Sequence, residues 1–448
     1  MAQLHRILSR QLVPNQCIAL VCGQLRKMTT ENAHKCKILV LGGGTGGCTI
    51  ASKFISKLGK NQVAIIEPAD LHYYQPMLTM IGGGMKELKE ASRPMSEVLP
   101  KDAIWIKENV SKIDAKNNAV TTTGGKRIEY EFLVVSLGLE LRYDKIPGVL
   151  EALETPRSGV ASNYSPKYVE QTYKYLQDTN SGKAIFTFPQ GPVKCAGAPL
   201  KACLISEDFL RRNGKRKNVD VIYRTSLPVI FSVKHYADKL NQLCAVRGID
   251  VGFQQELISV DSAEKTATFK NLANPQETEK FEFSFLHVTP PMSPPEVLKT
   301  TPELVDGAGF VNVNKETLQS QSFSNVYGIG DCTNLPTSKT AAAIAAQSGV
   351  LYQNLLKDIE GRSSEEKVKY DGYTSCPLVT GYSSVILAEF DYSLTPLETF
   401  PVDQSKEHRA MFFMKKDAMP FLYWNGMLKG YWNGPQFLRK ILHFGVGR

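Results

Sequence analysis

Short apolar runs closed by glycine or a single acid recur along the chain. Lys37-Ile-Leu-Val-Leu41 has charge before it and glycine after it, and Gln62-Val-Ala-Ile-Ile66 ends on Glu67. Residues 130–138, 184–188, 219–224 and 286–292 are further runs of this kind. Apolar stretches this short, bounded by turn signals, predict buried strands. Between them the apolar period lengthens. Residues 200–212 and 234–247 read as amphipathic helices, and 340–349 (Thr-Ala-Ala-Ala-Ile-Ala-Ala-Gln-Ser-Gly) as a helix of very small residues. Ile104-Trp-Ile and residues 110–113 alternate like an added strand pair. Strand, helix and strand in this succession predict an α/β fold with two Rossmann-like dinucleotide-binding domains.

The first strand runs into Gly42-Gly-Gly44-Thr45-Gly46-Gly47, which opens a helix. In this G-x-G-x-x-G pattern Gly42 permits the tight turn and Gly44 lets the backbone approach a pyrophosphate. Gly47 and Ala51 allow close helix–strand packing, and the helix N-terminus faces the phosphates. Glu67 follows Gly47 by twenty residues, at the end of the next strand, placed to accept from ribose hydroxyls. It predicts FAD or NAD in preference to NADP. Residues 325–331 form a later strand ending in Asp331, placed to bind hydroxyls of a ribityl chain. The small helix after it can approach a flat cofactor closely. Candidate cofactor-binding residues are therefore Gly42, Gly44, Thr45, Gly46, Gly47, Glu67, Gln75, Val110, Asp331 and Ala341.

A second strand–loop–helix unit spans residues 182–212, but its loop carries no glycine fingerprint. Gln190-Gly-Pro-Val-Lys-Cys195-Ala-Gly-Ala-Pro199 presents a cysteine instead. Cys195 precedes a helix start, beside Lys194 and near Lys201, surroundings that stabilise a thiolate. From Tyr370 the character changes. Cys376 lies in Gly/Pro-flanked sequence that reads as a loop, and a strand follows over 385–390. The tail holds two of the three tryptophans and Met411, Met414, Met419 and Met427, interleaved with Lys and Arg. In the last helix Phe437, Leu438, Ile441 and Leu442 share a face opposite Arg439, Lys440 and His443, the mark of an interfacial helix.

Composition adds bounds. At 448 residues, 42% hydrophobic and 22% charged, the chain suits two or three globular domains and excludes collagen-like, coiled-coil and disordered classes. A net charge of +9 admits nucleic acid, an anionic membrane surface or an anionic substrate as partner. Nine scattered cysteines without C-x-x-C signal neither a disulfide framework nor a metal site. Residues 1–35 carry Arg6, Arg10, Arg26, Lys27 and Lys35 against one acid, Glu31. Leu4, Ile7, Leu8 and Leu12 can share a helical face there, as in a mitochondrial transit peptide. No apolar run is long enough to predict a transmembrane helix.

The Gly42–Gly47 loop with Glu67, Gly328-Ile-Gly-Asp331 and its continuation to Thr340, Pro192-Val-Lys-Cys-Ala-Gly-Ala-Pro199 and Tyr370-Asp-Gly-Tyr-Thr-Ser-Cys-Pro-Leu-Val-Thr-Gly381 together resemble the sulfide:quinone oxidoreductases. The likeness is to the mitochondrial animal type and runs from about residue 36 to the end. It implies FAD in a discontinuous first domain (36–150 and 300–368) and a second Rossmann-like domain (151–299). A monotopic C-terminal region (369–448) would sit on the mitochondrial inner membrane. It also implies a redox pair of Cys195 and Cys376 over the flavin. Cys195 is then the leaving thiolate that attacks the flavin, and Cys376 is the sulfur that takes up hydrogen sulfide as a persulfide. The persulfide is handed to glutathione or sulfite, and electrons pass to ubiquinone in a pocket of the tail between Met411 and Trp432. No nucleic-acid partner is expected. Cys203 is expected in the core and Cys332 beside the flavin. A third cysteine that many bacterial members carry between the glycine loop and Cys195 has no counterpart here, so noncovalent FAD is expected. The competing readings are a type II NADH:quinone oxidoreductase, which needs a nicotinamide site in the second domain, and a non-catalytic redox-sensing flavoprotein.

Overall fold

The computed structural model describes residues 33–444. The expected leader lies outside the described residues except for its last three, which already belong to the first strand. In chain order that strand is β1 (Ala33–Leu41), followed by helix α1 (Thr45–Leu58), β2 (Val63–Ile66), β3 (Ile104–Ile106), β4 (Val110–Asp114), β5 (Ala119–Thr122) and β6 (Arg127–Val135). With a late strand, residues 326–328, they form one seven-stranded sheet in the order β3-β2-β1-β6-β5-β4, the late strand pairing with β6. Contacts among β3, β2, β1, β6 and the late strand are parallel, while β4 and β5 form an antiparallel flap. Ile38, Leu39, Val40 and Leu41 are fully buried, because parallel strands are covered on both faces.

The second domain contributes β7 (Val160–Ala161), β8 (Gly182–Phe188), helix α2 (Ala198–Arg212), β9 (Val219–Thr225), helix α3 (Lys234–Val246) and β10 (Asp250–Gly252). A later strand, residues 285–287, completes a five-stranded parallel sheet, inserted between β7 and β8. Between β10 and that strand lies a three-stranded antiparallel sheet, β11 (Gln255–Asp261), β12 (Thr266–Asn271) and β13 (Thr278–Glu282), which the βαβ reading did not anticipate. Its strands are polar-rich and bury only a minority of their side chains. Leu257, Val260, Ala267, Phe269 and Phe281 fill its inner face. The two strands quoted by residue number are β14 (Phe285–His287) and β15 (Val326–Gly328), and β15 leads to the long helix α4 (Ala341–Ile359).

The C-terminal region builds one small cluster, Val379, Val385, Leu387, Met411 and Phe412, closed by Met80 and Ile205, and otherwise shares the cores of the two domains. Its hairpin, β16 (Thr374–Val379) and β17 (Val385–Phe390), packs with the second domain's cluster. Tyr423, Trp424, Met427 and Leu428 pack with the first domain's cluster. Cys376 therefore lies within β16 and not on a loop, its partner in register being Ala388. Pro377 misleads the sequence reading, since proline is tolerated in a two-stranded ribbon. Residues 409–427 form a helical run that alternates α and π turns, and a short helix α5 (Gln436–Leu442) follows. Among the described residues no helix is long and apolar enough to cross a membrane.

Candidate functional site

The carboxyl ends of β1, β2, β6 and β15 converge, as expected where ligands bind in open α/β sheets. There the structure opens a cavity of about 340 Å³. Its wall includes Gly42, Gly44, Thr45, Gly46, Glu67 and Gln75 from the first half of the chain, and Asp331 and Ala341 from the return segment. Gly42 has φ +92, and a Cβ there would lie 2.7 Å from Ser136 O. Gly47 is not in the wall but beneath it, where a Cβ would meet Gly42 O at 1.8 Å. Gly44 faces open space. The loop is thus a cradle shaped by missing side chains. Gly43 N donates to Glu67 Oε2 at 2.7 Å and Ala69 N to Glu67 Oε1 at 2.7 Å, leaving a further lone pair on each oxygen. Thr340 caps α4 by accepting from Ala343 N, so the first N–H groups of that helix border the cavity. Val110 is not in the wall. It begins β4 and pairs with Thr122. Cys332 lies fully buried in the first domain's core, outside the wall, and Cys203 is core as expected.

Cys195 also lines the cavity, and Cys376 lies against it. Cys195 is held in a left-handed conformation (φ +52) by its N–H to Lys339 O at 2.8 Å and its carbonyl to Ala198 N at 2.7 Å. Its sulfur lines the cavity, 3.8 Å from that of Cys376, which is 2% exposed. Gly197 makes this approach possible, because a Cβ there would lie 2.5 Å from Cys376 Sγ. Lys201, buried one turn into α2, points its Nζ at Cys195 Sγ (3.2 Å) and toward Cys376 Sγ (3.9 Å). The Cys376 thiol donating to Cys195, and the ammonium of Lys201, hold the Cys195 thiol well below its usual range against the opposing effect of burial. The same sharing, with burial, pushes Cys376 well up. Lys194 does not serve Cys195 as its neighbouring position suggested. Its Nζ donates to Gln75 Oε1 at 2.8 Å, tying the cysteine loop to the first domain. Desolvation pushes the Asp331 carboxyl up, with Lys339 and Lys194 opposing.

Sequence reasoning missed several residues here. Lys415 reaches the cavity from a π turn of the tail, donates to Pro76 O at 3.0 Å, and is pushed down to about 7 by burial. Thr79 Oγ1, Asn163 Oδ1 and Ser375 Oγ belong to wall residues and are buried without a partner. No sequence spacing marks such groups, because they come from four separate segments.

The tail also departs from expectation. Tyr423 and Trp424 are buried against Tyr74 and His72 and are not free to line a separate pocket. In α5, Arg439 is 4% exposed with its guanidinium 4.9 Å from the Tyr373 ring, whereas Phe437 is 73% exposed. The helix is therefore docked by its arginine and turns its apolar face outward, together with Phe413, Phe421, Tyr431 and Ile441.

The pyridine nucleotide-disulphide oxidoreductase family model matches residues 36–349. Mouse mitochondrial sulfide:quinone oxidoreductase is 50% identical over 93% of this chain and 91% of its own length. The protein of that name from Dictyostelium discoideum is 41% identical over 90% and 88%. The chain belongs to the sulfide:quinone oxidoreductase family. It is a flavoprotein-type oxidoreductase of this family by sequence, and its fold is that of the family. The structure of the Aquifex aeolicus sulfide:quinone oxidoreductase superposes with a TM-score of 0.76 at 21% identity, covering 92% of this chain and 95% of that one.

Proposed function

We propose that the protein oxidises hydrogen sulfide with FAD held in the cavity, using Cys195 and Cys376 as the redox pair and ubiquinone as electron acceptor. The observation that carries this is the meeting of two cysteines 181 residues apart, sulfurs 3.8 Å from each other, beside one buried lysine, with Cys195 in the cavity wall and Cys376 buried behind it. The residues fit FAD. The glycine cradle suits a pyrophosphate, Glu67 keeps lone pairs for ribose, and Thr79, Asn163 and Ser375 offer buried polar atoms that lack partners. Asp331 and the N-terminus of α4 line the remaining wall. No cysteine between Cys48 and Cys195 is present to bind the cofactor covalently. When bound, FAD takes up an electron pair and passes it to the quinone.

The protein's own part is thiol–disulfide exchange. Hydrosulfide attacks Cys376 of the oxidised pair. The S–S bond breaks, Cys376 becomes a persulfide, and Cys195 leaves as a thiolate that Lys201 stabilises. A thiol such as glutathione, or sulfite, takes the outer sulfur and leaves Cys376 as thiolate. The two thiolates then close the disulfide with loss of two electrons. The exposed apolar face of the tail, with Lys416, Lys429 and Lys440 nearby, supports monotopic attachment to a membrane, and the mitochondrial names of the relatives support a mitochondrial location, where a ubiquinone acceptor calls for the inner membrane. The second-domain loop carries Cys195 where a nicotinamide site needs glycines, which disfavours NADH as donor.

Anaerobic spectroscopy tests the reading. Sulfide should bleach the flavin, or give a long-wavelength charge-transfer band, and NADH should do neither. Cys195→Ser and Cys376→Ser should each abolish sulfide-dependent quinone reduction while retaining flavin. Bleaching by NADH alone, or normal turnover in the Cys376 variant, would refute it.

A further inference from the structure

The tail does more than present an apolar face. Tyr423 Oη lies 2.8 Å from Thr45 Oγ1 and 2.6 Å from His72 Nε2. His72 Nδ1 lies 3.2 Å from Gly43 O. A carbonyl only accepts, so Nδ1 carries the proton in this pair. Burial pushes the imidazole down to about 4, so it is neutral and Nε2 is a bare acceptor. Tyr423 must then donate to His72, and its oxygen accepts from Thr45. The direction of all three bonds is settled: Thr45 O–H to Tyr423, Tyr423 O–H to His72, and His72 Nδ1–H to Gly43 O. Both ends of the Gly43–Thr45 segment, the part of the loop that cradles the pyrophosphate, are thereby tied to one residue 378 positions away. Neighbouring contacts bind the same stretch of tail to α1. Ser52 Oγ donates to Leu428 O at 2.7 Å, and Lys53 Nζ donates to Gly430 O and Asn433 Oδ1, each at 2.6 Å.

We infer that Tyr423 and His72 form a staple that preorganises the phosphate loop, so that retention of the dinucleotide depends on the docked tail. They are positioning residues, since neither lines the cavity. The inference rests on the reading of the loop as a FAD site.

The phenol is a clean probe. In Tyr423→Phe the ring keeps its packing against Tyr74 (4.4 Å) and Trp424 (5.1 Å), while Thr45 loses its acceptor and His72 its donor. Loss of both hydrogen bonds, with Thr45 and His72 left orphaned, predicts FAD binding weaker by at least roughly tenfold. The measurement is the dissociation constant of FAD for the flavin-stripped full chain, followed by flavin fluorescence, with thermal melting of the stripped protein alongside. Tyr423→Phe should weaken FAD binding while the stripped protein still melts in one cooperative transition, lowered by only a few degrees. His72→Leu should weaken it comparably, and the double variant no further than the worse single variant. Wild-type FAD affinity in Tyr423→Phe, or additive losses in the double variant, would overturn the staple. Failure of the wild-type chain to take up FAD would overturn the cofactor reading and this inference with it.

Discussion

Gly197 is the sharpest lever on the cysteine pair. Its backbone is ordinary right-handed helical (φ −81, ψ −7), so alanine is conformationally free to replace it. Only space forbids the change. The new methyl would sit 2.5 Å from Cys376 Sγ and 2.6 Å from Leu378 Cδ2, where contacts of about 3.5–4.0 Å are normal. Strand β16 must retreat by about 1 Å to restore such contacts. In the dithiol form it can do so at modest cost, because the sulfurs are already 3.8 Å apart. In the disulfide the sulfurs must close to about 2.05 Å, so the strain falls mainly on the oxidised state. Overpacking of this kind costs about 1–3 kcal/mol. For a two-electron couple that corresponds to a reduction potential more oxidising by about 20–60 mV. Redox titration of the flavin-stripped Gly197→Ala protein against glutathione, with thiol counting by mass spectrometry, measures the shift. Sulfide-dependent quinone reduction should fall in parallel, with the fold intact by circular dichroism. An unchanged potential with unchanged turnover would refute the argument that Gly197 sets the sulfur–sulfur approach.

Three other outcomes follow from the same geometry. Lys201→Met removes the ammonium that holds the Cys195 thiol low, so its pKa rises and the thiolate fraction at any acidic or neutral pH falls. Alkylation of Cys195 by iodoacetamide at pH 6 should slow at least about tenfold and recover in alkali, and an unaltered pH profile would contradict the assignment. Gly47→Ala drives a methyl into Gly42 O, and the purified protein should lose its flavin absorbance, whereas full flavin content would show that the loop is not the cofactor cradle. Replacing Phe421 and Phe437, 69% and 73% exposed, by serine should lower partition onto phospholipid vesicles by about tenfold or more in a sedimentation assay. Unchanged sedimentation would place the membrane contact elsewhere.

The glycine loop, its strand and helix, and Glu67 are all legible in the sequence, as is the second unit with a cysteine in place of a fingerprint. Each is a contiguous segment whose backbone geometry follows from residue order within about thirty positions. The family likeness rests on the same short motifs. The tertiary structure alone decided which charges and contacts act at the sulfurs. Lys194 is next to Cys195 in the chain but its ammonium turns to Gln75, while Lys201, one turn into α2, reaches back to the sulfur, because the left-handed turn at Cys195 folds the loop against the start of that helix. Cys376 reads as a loop residue until β17 is available to pair with it. Arg439 reads as a solvated basic residue until Tyr373 is found beneath it, and its burial turns the apolar face of α5 outward. His72, Tyr423 and Thr45 leave no trace in spacing. Their meeting depends on how the tail lies across the first domain, and contacts between segments hundreds of residues apart are chosen by the packing of whole elements, which a local pattern does not encode.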